Sequence, residues 1–311
     1  MFDAHFNPFT LAYSFFLLQE QDPAFRWTYL WLAAIGLLLA LVVLAFGYLL
    51  VKRHWLRLSH ILEHPAINAI ERGLASRFPR IWGFIQARFS SREWRGLALT
   101  TAAVLLFAAV YIFAMVTESW MSEEELYAFD QRIYGWLLEA MSPPVLAFMR
   151  GITYFGDLVT VFILSLPVGG YLVYLKHKWR ILELILAVGG GAAVMWGLKL
   201  IFVRTRPEDQ LSSAAGHSFP SGHSFMSSAF YGFLIYITWR MVRSDTVRIG
   251  TTILLVLLIC AVGLSRVVLR VHWLSDVVGG FAAGLGWLIC SIIIMEAVRN
   301  YSRSSPSSAD D

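Results

Sequence analysis

The sequence predicts an all-α, polytopic transmembrane helix bundle of seven spans. Three observations carry that prediction: an apolar content of 58% with a mean hydropathy of +0.62 over 311 residues, several apolar runs of bilayer length, and a one-sided placement of lysine and arginine between them. Soluble domains sit nearer half apolar even with glycine counted, so an ordinary soluble enzyme is excluded. A helix needs roughly 20 mostly apolar residues to cross about 30 Å of hydrocarbon. Residues 27–51, 96–116, 158–175, 181–202, 224–239, 249–267 and 277–298 qualify.

The first run follows an extramembrane stretch and lacks both the basic start and the small-residue cleavage site of a secretory signal, so it is expected to stay in the mature protein. Residues 9–18 are apolar but too few to span, and are expected at the interface. Between Lys52 and Arg95 stand nine basic and three acidic residues, whereas the segment from Glu118 to Asp157 holds seven acidic residues and only Arg132 and Arg150. The positive-inside rule therefore puts the first segment in the cytoplasm and the second outside. Lys176, Lys178, Arg180, Arg240, Arg243, Arg248, Arg299 and Arg303 then all fall inside, with the N-terminus outside and the C-terminus inside.

Trp27, Trp55, Trp94, Trp120, Trp179, Trp239 and Trp273 fall near the predicted span ends, as interfacial aromatic belts require. The net charge of +4 and the pI near 9.1 come mostly from cations beside the spans, so anionic lipid is the expected partner and nucleic acid is not. Cys260 and Cys290 lie inside predicted spans, with neither disulfide nor metal-ligand spacing.

Three regions follow: residues 1–95 with the first span and a cytoplasmic amphipathic helix, residues 96–298 with six spans, and residues 299–311 as a serine-rich disordered tail. The amphipathic helix is read from Ile67, Ile70, Leu74, Phe78, Ile81, Ile85 and Phe89, accompanied by Arg72, Arg77, Arg80, Arg88 and Arg92 and bent near Pro79. It lies either on the inner leaflet or on the protein's own core; periodicity does not separate these. Outside, Ser122 and Glu125 have capping-box spacing and open a second amphipathic helix through Leu126, Phe129, Ile133, Leu137 and Ala140, which Pro143 and Pro144 end. Gly189–Gly191 and Gly280-x-x-x-Gly284 permit close helix packing, within the bundle rather than between copies.

Against this apolar background stand Lys199-x6-Arg206-Pro207, then Pro220-Ser221-Gly222-His223, then Ser265-Arg266-x5-His272-x3-Asp276. The topology, drawn from loop charges elsewhere, puts all of these at the outer face. Ionisable groups at the membrane boundary are expensive and indicate function. If this stretch is helical, His272 and Asp276 lie one turn apart on one face, so the carboxylate can accept the Nδ1 proton and leave Nε2 as a nucleophile. His223 supplies a separate imidazole as proton donor. Arg206, Arg266 and Lys199, with the Ser221 hydroxyl and the Gly222 amide at a helix start, can hold the equatorial oxygens of a phosphoryl group. Three fixed cations neutralise the charge and no carboxylate cluster accompanies them, so neither a metal nor another cofactor is expected.

These three ordered motifs resemble the signature of the type 2 phosphatidic acid phosphatase superfamily, over roughly residues 96–298. The resemblance implies a membrane-embedded, six-helix phosphatase core and marks the first span as an addition. By the same resemblance His272 becomes phosphorylated, Asp276 orients it, and His223 protonates the leaving group and then activates water. Lys199, Arg206, Ser221, Gly222 and Arg266 form the phosphate cradle. Members act on undecaprenyl pyrophosphate, phosphatidylglycerol phosphate or phosphatidic acid; others are glucose-6-phosphatases and soluble vanadium haloperoxidases, the last excluded here by the spans. The implied activity is hydrolysis of a lipid phosphate or diphosphate at the periplasmic face of the inner membrane, with undecaprenyl pyrophosphate as first substrate. A lipid phosphotransferase and a phosphate-lipid transporter are the rival readings.

His217, Arg204 and Arg270 flank the motifs as second-rank candidates, able to meet a leaving group or a second phosphate. His60-x-x-Glu63-His64 has the inverted zinc-protease spacing but no evident third ligand, and reads as a solvated helix face.

Overall fold

Helix is the only regular structure among the residues described by the computed structural model, 76–79, 97–121, 125–212 and 216–304. Lipid cannot hydrogen-bond the backbone, so an apolar chain of this kind satisfies its N–H and C=O groups within helices. In chain order these are α1 (Leu97–Met121), α2 (Glu125–Ala140), α3 (Pro143–Thr153), a 3-10 turn (Tyr154–Gly156) and α4 (Leu158–Tyr174). There follow α5 (Lys178–Ile185), a π-helical turn (Leu186–Gly190), α6 (Gly191–Ile201), α7 (Gly222–Met241), α8 (Asp245–Val268) and α9 (Leu274–Ser304).

Among the described residues four helical stretches are long and apolar enough to cross a bilayer: Leu99–Met121, Lys178–Ile201, Asp245–Val268 and Leu274–Ser302. A fifth span results if Pro143–Gly156 and Leu158–Tyr174, bent by 55°, are taken together. The protein is a multi-pass membrane protein. The expected first span lies outside the described residues, as do His60, Glu63, His64, nearly all of the basic amphipathic segment and the tail beyond residue 304. Helix α9 runs on to Ser304, so residues 299–304 are helical where a disordered tail was expected.

The expected fifth span, residues 224–239, is helical but not among the four, and its burial explains why. The first half of α7 is enclosed by the other helices, with Ser224, Phe225, Met226, Ser227, Ser228, Ala229, Phe230, Tyr231 and Phe233 all buried. Its hydroxyls bond within the helix, Ser227 and Ser228 donating to the Ser224 carbonyl at 3.1 and 2.9 Å. Such a helix can carry polar residues that a lipid-facing one cannot.

Glycines let α9 approach α7 backbone to backbone. A Cβ on Gly280 would lie 2.6 Å from the Ser221 carbonyl oxygen, and one on Gly284 would collide with Ser228 and the Phe225 carbonyl. The expected role of this glycine pair in packing the bundle is the observed one. In the π-helical turn, Trp287 of α9 packs on Gly190 and Gly191 and donates its indole N–H to the Leu186 carbonyl at 3.0 Å. An inserted partner of this kind is a recognised cause of local unwinding.

Pro143 and Pro144 do more than end α2. Proline suits the first turn of a helix, and Pro143 opens α3, a helix that reading the prolines only as terminators does not anticipate. Leu146 and Met149 of α3, with Ile133 and Leu137 of α2, pack on Val267, Val268 and Val277, roofing one end of α8 and α9. Asp157 then caps α4, its carboxylate accepting from the Val159 and Thr160 amides.

The opposite end is tied by charge. Arg180 donates to both oxygens of Glu183 at 2.8 and 2.7 Å and bonds the Tyr236 hydroxyl, while Glu296 meets Arg299 and lies 3.6 Å from Arg240 and 4.0 Å from Arg180. Glu183 and Glu296 are 1% and 3% exposed, so the cluster joins α5, α7 and α9 through carboxylates that water does not reach.

Candidate active site

A helix end delivers His272. Helix α8 closes with the Arg270 amide donating to the Val267 carbonyl and the Val271 amide to the Arg266 carbonyl, at 2.9 and 3.1 Å, with Arg270 left-handed at φ 57°. This is the Schellman arrangement, usually built on glycine. It reverses the chain within three residues, so that Arg266 in the last turn of α8 and His272 just beyond it serve one site. Arg270, a second-rank candidate, is thus a turn residue, and its guanidinium donates to the Leu137 carbonyl of α2 at 3.1 Å.

His272 and Asp276 meet, with Nδ1 3.3 Å from Asp276 Oδ2, although His272 lies two residues before α9 begins and does not share a helical turn with Asp276. On the other edge of the ring Nε2 lies 3.2 Å from Arg206 Nη1. A guanidinium can only donate, so Nε2 accepts and the ring proton sits on Nδ1, facing Asp276. Burial at 3% exposure pushes the His272 pKa down to about 3, against the pull of Asp276, which keeps the imidazole neutral. Asp276 Oδ2 also accepts from the Trp273 amide at 2.9 Å and from the Ser218 hydroxyl. Ser218 lies outside the three motifs and is a member that spacing did not point to.

Arg206 donates to the carbonyls of Val271 (2.6 Å), Gly216 (2.9 Å) and His217 (3.3 Å), and the Lys199 ammonium donates to His217 at 2.7 Å. Burial lowers the Arg206 pKa, partly offset by Asp276. His217 therefore enters the site through its backbone. Ser221 is the residue before α7, with its amide donating to the Asp276 carbonyl at 3.0 Å. Its side chain caps no amide of the first turn, so the N–H groups from Gly222 onward carry the positive end of the helix dipole uncapped by a side chain. His223 is in that first turn, within electrostatic reach of Arg266, His272, Lys199 and Arg206.

Arg266 is 3% exposed and donates to the Thr153 hydroxyl at 2.6 Å, while its buried Nε makes no hydrogen bond. Thr153 was not foreseen, because nothing in a lone threonine outside the motifs marks it as an arginine's acceptor. Gly156 follows in the 3-10 turn, where a Cβ would press within 3.1 Å of the His223 backbone and Cβ.

Arg204, the remaining second-rank candidate, does not face the place where a phosphate would lie. It is 4% exposed and bonds Asp276 Oδ1 at 2.6 Å, Asp130 Oδ2 at 3.0 Å and the Ser275 hydroxyl at 2.7 Å, with Trp120 and Trp273 against its guanidinium. Asp130 was also missed. Its signal was present, a carboxylate spaced 4-3-4 with Leu126, Ile133 and Leu137 on the apolar stripe of α2.

Among the described residues no group of three or more His, Cys, Asp or Glu side chains is placed to hold a metal ion. The arrangement is a neutral imidazole acceptor backed by a carboxylate, a second imidazole, and three cations around a helix start.

An all-helical membrane bundle with this site defines a class, and the comparisons agree: the PAP2 superfamily matches residues 180–300. Over that stretch the chain is similar to the PAP2 superfamily, and the relatives it resembles there are named as phosphatases. It is 27% identical to phosphatidylglycerophosphatase B of Bacillus subtilis (strain 168) over 183 residues, 57% of this chain and 88% of that one. A putative undecaprenyl-diphosphatase of Escherichia coli (strain K12) is 28% identical over 148 residues, 46% of this chain and 70% of that one. The crystal structure of a transmembrane PAP2 type phosphatidylglycerolphosphate phosphatase from Bacillus subtilis superposes with a TM-score of 0.58 at 24% identity, covering 62% of this chain and 96% of the other. At that identity the superposition speaks for the fold.

Proposed function

We propose that the protein hydrolyses a lipid phosphate or diphosphate at the periplasmic face of the inner membrane, through a phosphohistidine on His272. The observation that carries this reading is the His272 ring, its Nδ1 edge against Asp276 and its Nε2 an acceptor under Arg206. Nε2 attacks phosphorus and the bond to the leaving oxygen breaks, with His223 giving that oxygen a proton. Water then attacks the phosphohistidine while His223 takes its proton, and inorganic phosphate leaves. Arg206, Arg266 and Lys199, with Ser221 and the Gly222 amide, hold the equatorial oxygens throughout. This chemistry needs no metal.

The lipid character of the substrate is supported by an open apolar groove of about 620 Å³, lined by Phe113, Ala114, Thr117, Glu118, Met121 and Phe202. Phe202 is three residues from Lys199, and Phe113 packs on Phe219 at 5.4 Å between ring centres, two residues before Ser221. A tail lying there would leave its headgroup at the cations. Undecaprenyl pyrophosphate is our first substrate and phosphatidylglycerol phosphate the next, in keeping with the names of the two relatives, with phosphatidic acid after them. The face is assigned from loop charge, since the segment from Glu118 to Asp157 is acidic.

The test is phosphate release by purified protein from these three lipids, with and without chelator, beside His272→Ala and His223→Ala. We expect chelator-resistant turnover, acid-labile phosphate trapped on the protein, and loss of both in His272→Ala. Activity in His272→Ala would sink the mechanism, and lipid-bound rather than free phosphate as product would make the protein a phosphotransferase. A reporter fused within residues 204–222 that reads as cytoplasmic would overturn the topology.

A further inference from the structure

Asp276 has two oxygens with different duties. Oδ2 faces His272, Ser218 and the Trp273 amide, whereas Oδ1 is held by Arg204 at 2.6 Å. Arg204 is held in turn by Asp130 Oδ2 at 3.0 Å, and Asp130 takes the Ser275 amide on Oδ1 at 2.9 Å and the Ser275 hydroxyl on Oδ2. All three charged groups are buried, Asp130 at 2%, Arg204 at 4% and Asp276 at 0% exposed. Removing one partner of such a set leaves an uncompensated charge, so each group fixes the next. The chain of contacts runs from α2, through the loop after α6, to the first turn of α9.

We propose that Asp130 and Arg204 are positioning residues for the phosphatase reaction: Asp130 aims the Arg204 fork, the fork fixes the Asp276 carboxylate, and Asp276 holds the His272 ring with Nε2 toward phosphorus. This rests on the reading of His272 as nucleophile. The roof helix α2 is thereby part of the catalytic apparatus without touching substrate. The geometry also sets the basicity of the dyad, because Arg204 tempers the charge of Asp276 and Asp130 tempers that of Arg204. The other charged or titratable groups facing the dyad are Lys199 from α6, Arg206 from the loop, His223 from α7 and Arg266 from α8. None of these touches Asp276 Oδ1 or Asp130.

The experiment uses the full chain in lipid nanodiscs and the lipid phosphate that the wild type hydrolyses fastest, with Asp130→Asn, Arg204→Gln, Arg204→Lys, Ser275→Ala and the Asp130→Asn/Arg204→Gln pair. We expect kcat to fall about tenfold to a hundredfold in Asp130→Asn and Arg204→Gln, the scale seen when an orienting partner is lost, with KM changed less than about twofold. The pair should fall by less than the product of the singles. Arg204→Gln should also move the acid limb of kcat/KM toward neutral pH, since Asp276 without its cation holds an imidazolium more tightly. Asp130→Asn should not move it in that direction, since Arg204 keeps its charge against Asp276. Arg204→Lys should restore the limb but not kcat, because it keeps the charge and loses the fork.

Unchanged kcat in Asp130→Asn, a rise in KM alone, or a limb shifted alike in both variants overturns the proposal. Should Arg204→Gln fail to fold, Ser275→Ala decides, since it keeps both charges and loses only the hydroxyl between them: a kcat loss of about threefold or more supports the proposal and wild-type kcat overturns it. His272→Ala is measured alongside. Residual full activity there defeats the nucleophile assignment itself, whereas an inactive His272→Ala beside a wild-type Asp130→Asn defeats only the present inference.

Discussion

The Ser221 amide donates to the Asp276 carbonyl oxygen at 3.0 Å, so the residue that precedes α7, a candidate phosphate ligand, is latched to the helix that carries Asp276. The latch forms because Gly280, one turn further along α9, lets the Ser221 carbonyl approach to a distance that no Cβ tolerates.

Gly280→Ala should therefore cost stability and chemistry together. Overpacking against backbone costs about 1–3 kcal/mol, and the shift falls on Ser221. Thermal melting in nanodiscs should drop and kcat with it. Gly250→Ala in α8, where a Cβ meets nothing within 4 Å, should be neutral or stabilising by about 0.5–1 kcal/mol.

Thr153→Val removes the acceptor of Arg266 Nη1 while keeping the side-chain shape. A buried guanidinium N–H left unpaired costs about 1–3 kcal/mol, and Arg266 is then freer to turn away from the cradle. Inhibition by inorganic phosphate should weaken about tenfold, read as a rise in its Ki.

The depressed pKa of His272 makes a prediction about pH. The folded value of about 3 lies below the ordinary imidazole value, so between roughly pH 3 and 6.5 the unfolded chain binds the proton that the folded one refuses. Stability from this group is complete above about pH 6.5 and is lost as pH falls, with a slope of at most about 1.4 kcal/mol per pH unit. Melting temperature should decline from pH 6.5 to 4 in the wild type and less steeply in His272→Asn.

At the far end of the bundle, Glu296→Ala leaves Arg180, Arg240 and Arg299 facing one another without their shared carboxylate. Breaking a buried pair costs about 3–5 kcal/mol. The melting temperature should fall while kcat per folded molecule holds, because none of these groups reaches the site.

The helical bundle, and the gathering of the motif residues into one place, were legible because both depend on local spacing. Apolar runs mark α1, α8 and α9, and the short interval from His272 to Asp276 keeps the two close, though through the turn before α9 and not through a helical face. Asp130 and Thr153 were not legible, since each acts on an arginine 74 or 113 residues away and the motifs name neither. Arg204 and Arg270 were noticed for their charge, yet charge does not say whether an arginine faces a ligand, a carboxylate or a carbonyl. Helix α7 shows the same limit from the other side. Its serines make it a poor span by hydropathy, and only the helices around it account for them.

One contact carries a consequence for selectivity. Arg206 lies across the Nε2 of His272 and is itself held by the carbonyls of Val271, Gly216 and His217. An uncharged electrophile offers that guanidinium nothing in exchange for three oxygens, and so finds the imidazole shielded. A phosphate, on the proposed mechanism, brings oxygens of its own to exchange for those carbonyls. On the proposed mechanism, admission is decided by charge before shape, and the Arg206 arm covers the His272 Nε2 against uncharged alkylating and acylating agents.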